Sequence, residues 1–285
     1  LSDAAPQRPR QDRPDVCQSD RAGDAGRQSA FRDVLAGCSL AALGRGQLTA
    51  HRLGEPGAIV SVQPTDSANG PLMNVTTEIC IDRNKRLREE PHTGHNRWHP
   101  DIAPIATVKP GELIRLETRD AADGQIKAGM TVADLASMDT KVGHPITGPV
   151  HVEGVEPGDL LEVEFVEIDP QSYGWTRIRP GIGFLREWFD TNFLVHWHID
   201  KGFARSEQIP GVAIPCGVFM GTAGVAPSHE QLRAWTEREG ALIAAGGLAL
   251  PPDPEDAVPA IEPIASEGMR TMPPRENGGN ADVKQ

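Results

Sequence analysis

The sequence has no excess of basic residues, no long apolar run, and none of the short motifs that mark the commonest hydrolases. Lys and Arg number 28 against 40 Asp and Glu, a formal net charge of -12 over 285 residues. That balance excludes nucleic acid or an anionic membrane as the main partner, because both select a basic face. No stretch approaches the roughly 18 apolar residues of a membrane span, and no secretory signal pattern opens the chain. The four cysteines, Cys17, Cys38, Cys80 and Cys216, are widely spaced and form no C-x-x-C pair. Reduced thiols in a cytoplasmic protein are expected, rather than a disulfide framework. G-x-S-x-G, H-E-x-x-H and a P-loop are all missing. Long helical periodicity is scarce as well, whereas Gly (30) and Pro (25) are plentiful. The balance favours a turn-rich β architecture.

The first seventy residues differ from the rest. LSDAAPQRPRQDRPDVCQSDRAGDAGRQSAF has no lysine, almost no aromatic residue and no usable period, and acid and arginine nearly cancel up to Gly70. FRDVLAGCSLAALGRG is the one segment there able to form a helix, with Gly44 and Gly46 as stops. The first methionine is Met73, where the strand-like alternation Val75, Thr77, Ile79, Ile81 begins. Residues 1–72 are therefore read as a disordered or non-native extension. An N-terminal β domain is expected over 73–170 and a β-rich region with one helix near 229–245 over 171–285.

Two stretches share the pattern V-x-P-G-[ED]-L-[LI]-x-[LV]-E: VKPGELIRLE from Val108 and VEPGDLLEVE from Val155. Each predicts a tight turn feeding a strand of period two. GPVHVEGVEPGDLLEVEF then predicts a strand–turn–strand hairpin of the sandwich kind. Ser228 with Gln231 predicts a capping box, opening a helix with Leu232, Trp235, Leu242 and Ile243 on its apolar face and Gly246-Gly247 as its stop. Tyr173, Trp175 and Trp188 fit a core better than a sugar-binding face.

Several polar clusters are candidates for chemistry. In LVHWHID, His196 and His198 project from one face of a strand and can grip one ion, with Trp197 facing a core. Without a third ligand, an exposed pair is the simpler reading. HNRWHPDI packs His95, Asn96, His99 and Asp101 into eight residues before a strand, and GHPITGPV places His144 beside a turn. Asp120 ends the first Pro-Gly strand and runs into a turn with Gly124 and Gln125. Cys216 is read as a small residue of an apolar strand. The closing PPRENGGNADVKQ has the composition of a site loop.

Taken in order, HNRWHPDIAPIATVKPGELIRLETRDAADGQI, HPITGPVHVEGVEPGDLLEVEF, IRPGIGFL, MGTAGVAP and PPRENGGNADVK resemble the formamidase/acetamidase family, leaning to the formamidase branch. The resemblance runs collinearly from His92 to Gln285. It implies a mainly β fold with sandwich-like and barrel-like parts and a small α/β part. It also implies a divalent metal, zinc or calcium, a homo-oligomer, and hydrolysis of a short aliphatic amide, formamide in preference to acetamide. In the family the G-G-N-x-D loop leads on into further strands and a polar Gly-Asp-x-His segment, which is expected to lie beyond Gln285.

Carried onto this chain, the resemblance nominates Asp120 and Asp282 as ligands or general bases, with His144 and His99 completing a mixed nitrogen and oxygen set. Asn280 is nominated as catalytic and Gln125 and Asn96 as substrate-binding, joined by the N–H groups of Gly278 and Gly279. A tight pocket is expected for so small a substrate. The competing expectation is a non-catalytic β domain that binds a metal or a partner subunit.

Overall fold

A computed structural model describes residues 75–183, 185–247 and 252–271, and the backbone of 42–51. The closing loop with Gly278, Gly279, Asn280 and Asp282 lies outside the described residues, as does most of the 1–72 segment. The described chain is mainly β. One four-stranded sheet has the order β2 (Val75–Ile79), β6 (Leu113–Glu117), β1 (Ala42–His51), β9 (Leu160–Pro170). A second, antiparallel sheet joins β10 (Tyr173–Ile178), β11 (Phe193–Asp200), β12 (Phe203–Arg205) and β13 (Ala213–Pro215). The helix read for FRDVLAGCSLAALGRG does not run through residues 42–46. They begin β1, whose backbone pairs with β6 on one side and β9 on the other.

Both Pro-Gly turns form as their sequences require. Gly111 and Gly158 hold φ of 85° and 104°, the left-handed backbone that a type II turn needs at its third residue. In each turn an acid closes the ring. The Lys109 N–H donates to the Glu112 carboxylate at 2.8 Å, and the Glu156 N–H to the Asp159 carboxylate at 2.9 Å.

The strands leading into these turns are β5 (Ala106–Val108) and β8 (Val150–Val152), and they pair with each other in parallel. The hairpin expected from GPVHVEGVEPGDLLEVEF is therefore corrected: β8 pairs with β5 and β9 with β1. The equivalent strand of the other Pro-Gly unit is the better partner because it completes a shared core, in which Val108, Ile114 and Val152 pack with Leu116 and Leu161. Each such fully buried side chain contributes roughly 1.5–3 kcal/mol.

The second sheet has apolar layers on both faces. Trp175 and Leu194 pack with Ala122, Ile126 and Leu135 on one side, and Val195, Trp197, Ile199 and Ala204 form the other. Trp197 is thus in a core, as expected. Trp188, expected there too, is 82% exposed because it falls in a turn between β10 and β11 rather than on a strand. Cys80 is disulfide-bonded and Cys216 is a free, half-buried thiol. The expectation of reduced thiols is corrected at Cys80: proximity in the fold, not spacing along the chain, decides pairing. Among the described residues no helix is long and apolar enough to cross a membrane.

Helix α1 (His229–Ala244) starts at the expected capping box. The Ser228 hydroxyl accepts from the Gln231 N–H, and the Gln231 side chain accepts from the Ser228 N–H. Its Leu232 and Trp235 pack against Trp98 and Met269, while Leu242 and Ile243 stay exposed. A short α2 (Ile264–Glu267) follows.

HNRWHP threads between two small strand pairs. β3 (Gly94–His95) pairs with β7 (Ile146–Thr147), and β4 (Arg97–Trp98) with β14 (Met269–Arg270). A Cβ on Gly94 would collide with the Ile146 carbonyl, so glycine lets the two backbones meet. Asn96, wholly buried between β3 and β4, has its amide saturated. The side-chain oxygen accepts from the Val258 N–H at 2.7 Å, and the nitrogen donates to the Asp256 and Val142 carbonyls at 2.8 and 3.3 Å. Asn96→Ala strands one donor and two acceptors in the interior, each costly to leave unpaired. Urea unfolding is expected to show a loss of about 3 kcal/mol or more; a loss below about 1 kcal/mol contradicts the clasp.

Candidate active site

A cavity of about 480 Å³ opens between the first sheet and the HNRWHP segment. The end of β6 brings Thr118, Arg119 and Asp120 to it, the HNRWHP segment His95 and His99, and the loop before β7 His144. The sheet face contributes Ile114, Leu116, Leu161, Val163 and Phe165, and Phe219–Ala226, which holds the MGTAGVAP sequence, supplies a further wall. The tight pocket expected from the sequence is corrected. Strand β9 lies two positions from β6 in the sheet, and both strands contribute to the lining.

Asp120 is held by its own turn. Its carboxylate accepts from the Ala122 N–H at 2.6 Å. Burial pushes its pKa above the usual carboxylate value, against the pull of backbone hydrogen bonds from Ala122 and Gly124. A carboxyl so placed takes up and gives back a proton closer to neutrality than an exposed one. It also lines a second cavity of about 260 Å³, shared with Tyr173. Burial, and then the charge of Asp120, pushes the Tyr173 hydroxyl up to about 12.

The histidines are kept neutral by desolvation. His144 sits at a left-handed φ of 60°, its N–H bonded to the Ala121 carbonyl at 3.1 Å. Burial, helped by the charge of Arg177, lowers its pKa to about 4. His95 falls to about 4 as well through burial. Its Nδ1 donates to the Arg97 carbonyl at 2.6 Å, which fixes the tautomer and leaves Nε2 as a base. His99 is lowered chiefly by burial. Its Nδ1 accepts from the Asp101 N–H at 3.1 Å, and its buried Nε2 has no hydrogen-bond partner.

The unsatisfied His99 ring belongs to a group. One ligand atom from each of His99, Asp101 and His229 can be chosen so that all lie within 4.8 Å of one another. His229 Nε2 is 3.3 Å from the Asp101 carboxylate, and the two imidazoles meet edge to face at 5.6 Å. This is the His/Asp group among the described residues that can hold a metal ion. It differs from the nominated set, in which His99 was joined by Asp120, His144 and Asp282. Asp101 stood among the candidates of HNRWHPDI but outside the nominated ligands, and His229 was missed because 130 residues separate it from His99 and its only local signal is helix capping.

Of the other nominated residues, Asp120, His144 and His99 share the cavity, while Gln125 and Asn96 do not line it. The Gln125 amide donates to the Ala122 and Asp139 carbonyls and accepts from the Asp139 N–H, all within 2.9 Å. It ties the 122–139 loop together, as Asn96 ties the frame. The His196–His198 grip does not form either. His196 is bonded through both ring nitrogens, to the Tyr173 hydroxyl and the Met130 carbonyl, and His198 points to solvent.

A model of the Acetamidase/Formamidase family matches residues 80–285. The chain belongs to that family. An acetamidase of Mycolicibacterium smegmatis is 38% identical over 230 residues, covering 72% of this chain and 57% of that protein. A formamidase of Methylophilus methylotrophus is 36% identical over 225 residues, 73% of this chain and 55% of that one. The structure of a gamma lactamase from Delftia acidovorans superposes with a TM-score of 0.68 at 36% identity, over 73% of this chain and 55% of that one. The chain thus spans about half the length of the curated family members it matches. Its mainly β architecture is that of the family.

The neutral histidines set a pH dependence. A histidine whose folded pKa is about 4, against 6.5 unfolded, takes up its proton in the unfolded state first as pH falls. Stability is then fully present above about 6.5 and lost down to about 4, on the order of 3 kcal/mol for His144. The raised Asp120 acts with the opposite sign above the ordinary carboxylate value of 3.8, so the variant comparison isolates the histidine. His144→Asn keeps a residue that tolerates positive φ. Between pH 6.5 and 4, denaturant unfolding is expected to show the parent losing about 3 kcal/mol more than His144→Asn. Equal losses contradict a buried neutral His144.

Proposed function

We propose that this protein hydrolyses a carboxamide to a carboxylate and ammonia in the cavity lined by Asp120, His95, His99 and His144. The observation that carries the reading is the gathering of a carboxyl of raised pKa and neutral imidazoles in one cavity of an Acetamidase/Formamidase chain. The names of the similar proteins, acetamidase, formamidase and gamma lactamase, share attack on an amide C–N bond.

An amide resists water because its carbonyl is a weak electrophile and its nitrogen a poor leaving group. Asp120, as carboxylate, takes a proton from the attacking water; as carboxylic acid, it returns that proton to the departing nitrogen. The carbonyl carbon gains one C–O bond and loses its C–N bond. The neutral imidazoles of His95 and His144 orient the amide without adding charge to the cavity.

The residues present also fit a metal. His99, Asp101 and His229 each offer a ligand atom, all within 4.8 Å of one another. Two imidazoles with one carboxylate suit zinc, whereas calcium prefers a full oxygen set. Zinc is therefore favoured of the two metals expected. Held there, it would supply a Lewis acid at the cavity wall that His99 forms. Assembly of several copies is supported by Leu185, Trp188, Phe189 and Phe193, exposed within one short stretch.

Two measurements test the reading together: ammonia release from acetamide and formamide, and metal content. Asp120→Asn is expected to lower kcat by about 100-fold or more, with zinc retained. His99→Ala and His229→Ala are expected to lose zinc while staying folded. Full activity in Asp120→Asn would overturn its role. Zinc bound by the parent with no ammonia from any amide would favour a non-catalytic metal-binding domain instead.

A further inference from the structure

We propose that the cavity selects carboxamides with an apolar acyl group much larger than acetyl, a medium alkyl chain or a carbocycle. The inference rests on the amide-hydrolase reading above and names its substrate class. A space of about 480 Å³ lies within the range that buries a drug-sized ligand. Formamide or acetamide would leave most of it to water.

The distribution of chemistry along the cavity supports the same reading. The ionisable groups come from the end of β6 and from the histidine-bearing segments. The sheet face running away from them is apolar. In the strand register, one residue of β1 pairs with both Ile114 and Phe165, so Phe165 stands level with Ile114. Val163 and Leu161 follow on the same face at the two-residue period of a strand, each farther from the level of Asp120. Their neighbours Glu162 and Glu164 alternate to the other face. The chain has thus separated apolar from acidic residues along β9, yet Val163 and Phe165 remain 41% and 45% exposed. A ligand with an apolar tail would cover them.

The opposite wall suits a tail of variable shape. Phe219 and Met220 are apolar, and the Met side chain is deformable, while Gly221, Ala223 and Gly224 leave room. A charged acyl group would find little here. Among the described residues, the charged lining groups apart from the histidines are Arg119 and Asp120, and Arg119 is bonded to Glu90 and Thr93.

The test is a homologous series of acetamide, butyramide, hexanamide and cyclohexanecarboxamide, measured by calorimetric binding and by ammonia release. Affinity is expected to rise about threefold or more per methylene, with hexanamide at least about tenfold tighter than acetamide. Phe165→Ala is expected to cut the hexanamide-to-acetamide ratio at least about fivefold. A flat series, a preference for acetamide, or no binding by any member overturns the inference. Ammonia release with a flat series would do so while leaving the hydrolase reading in place. The rising binding series without ammonia from any member would sustain the cavity's selectivity and overturn hydrolysis.

Discussion

The structure depends on how the buried polar atoms of one short segment are satisfied. Residues 94–99 run through the interior, where every N–H and C=O must find a partner or cost stability. Asn96 meets that demand for three distant backbone groups at once, at Val142, Asp256 and Val258. Its neighbours are held the same way. Trp98 donates to the Thr271 carbonyl at 3.0 Å, and Arg97 to the Asp253 carbonyl at 2.7 Å. With the backbone so fixed, the positions of His95 and His99 follow. Asn96 is saturated, whereas Arg97 Nε and His99 Nε2 are buried without a hydrogen-bond partner.

Desolvation does the rest of the electrostatic work. The same burial that raises Asp120 lowers His95, His99 and His144. It leaves a carboxyl of raised pKa among neutral rings. Behind this layer, Asp123 accepts from the Leu87 N–H at 2.9 Å and faces Arg86 and Arg119, while Arg119 reaches Glu90 at 2.6 Å. That buried network holds the turn carrying Asp120. Breaking one member would leave another charge uncompensated.

Local chemistry was legible in the sequence. The two Pro-Gly turns, the Ser228–Gln231 capping box and the facing of Trp197 need only a few neighbouring residues to specify them, and they formed as read. Asp120 and His144, each read at the end of a strand or connection, both line the cavity. Long-range pairing was not legible. β8 chose β5 over β9 because a core shared by two distant Pro-Gly units outweighs a short hairpin, and no spacing in the chain announces that. Asn96 and Gln125 were nominated as substrate-binding by the family resemblance; in the fold their amides are spent on backbone groups. His229 could not be seen, since its partnership with Asp101 exists only once α1 has packed on Trp98.

The central claim is that the amide is bound where Asp120 and His144 meet the apolar sheet face. A crystal structure of the Asp120→Asn protein soaked with hexanamide tests it most directly. The account predicts the carboxamide head beside residue 120 and His144, with the alkyl chain running along Phe165 and Val163. Density for the amide in the second cavity beside Tyr173, or none in either, would contradict it.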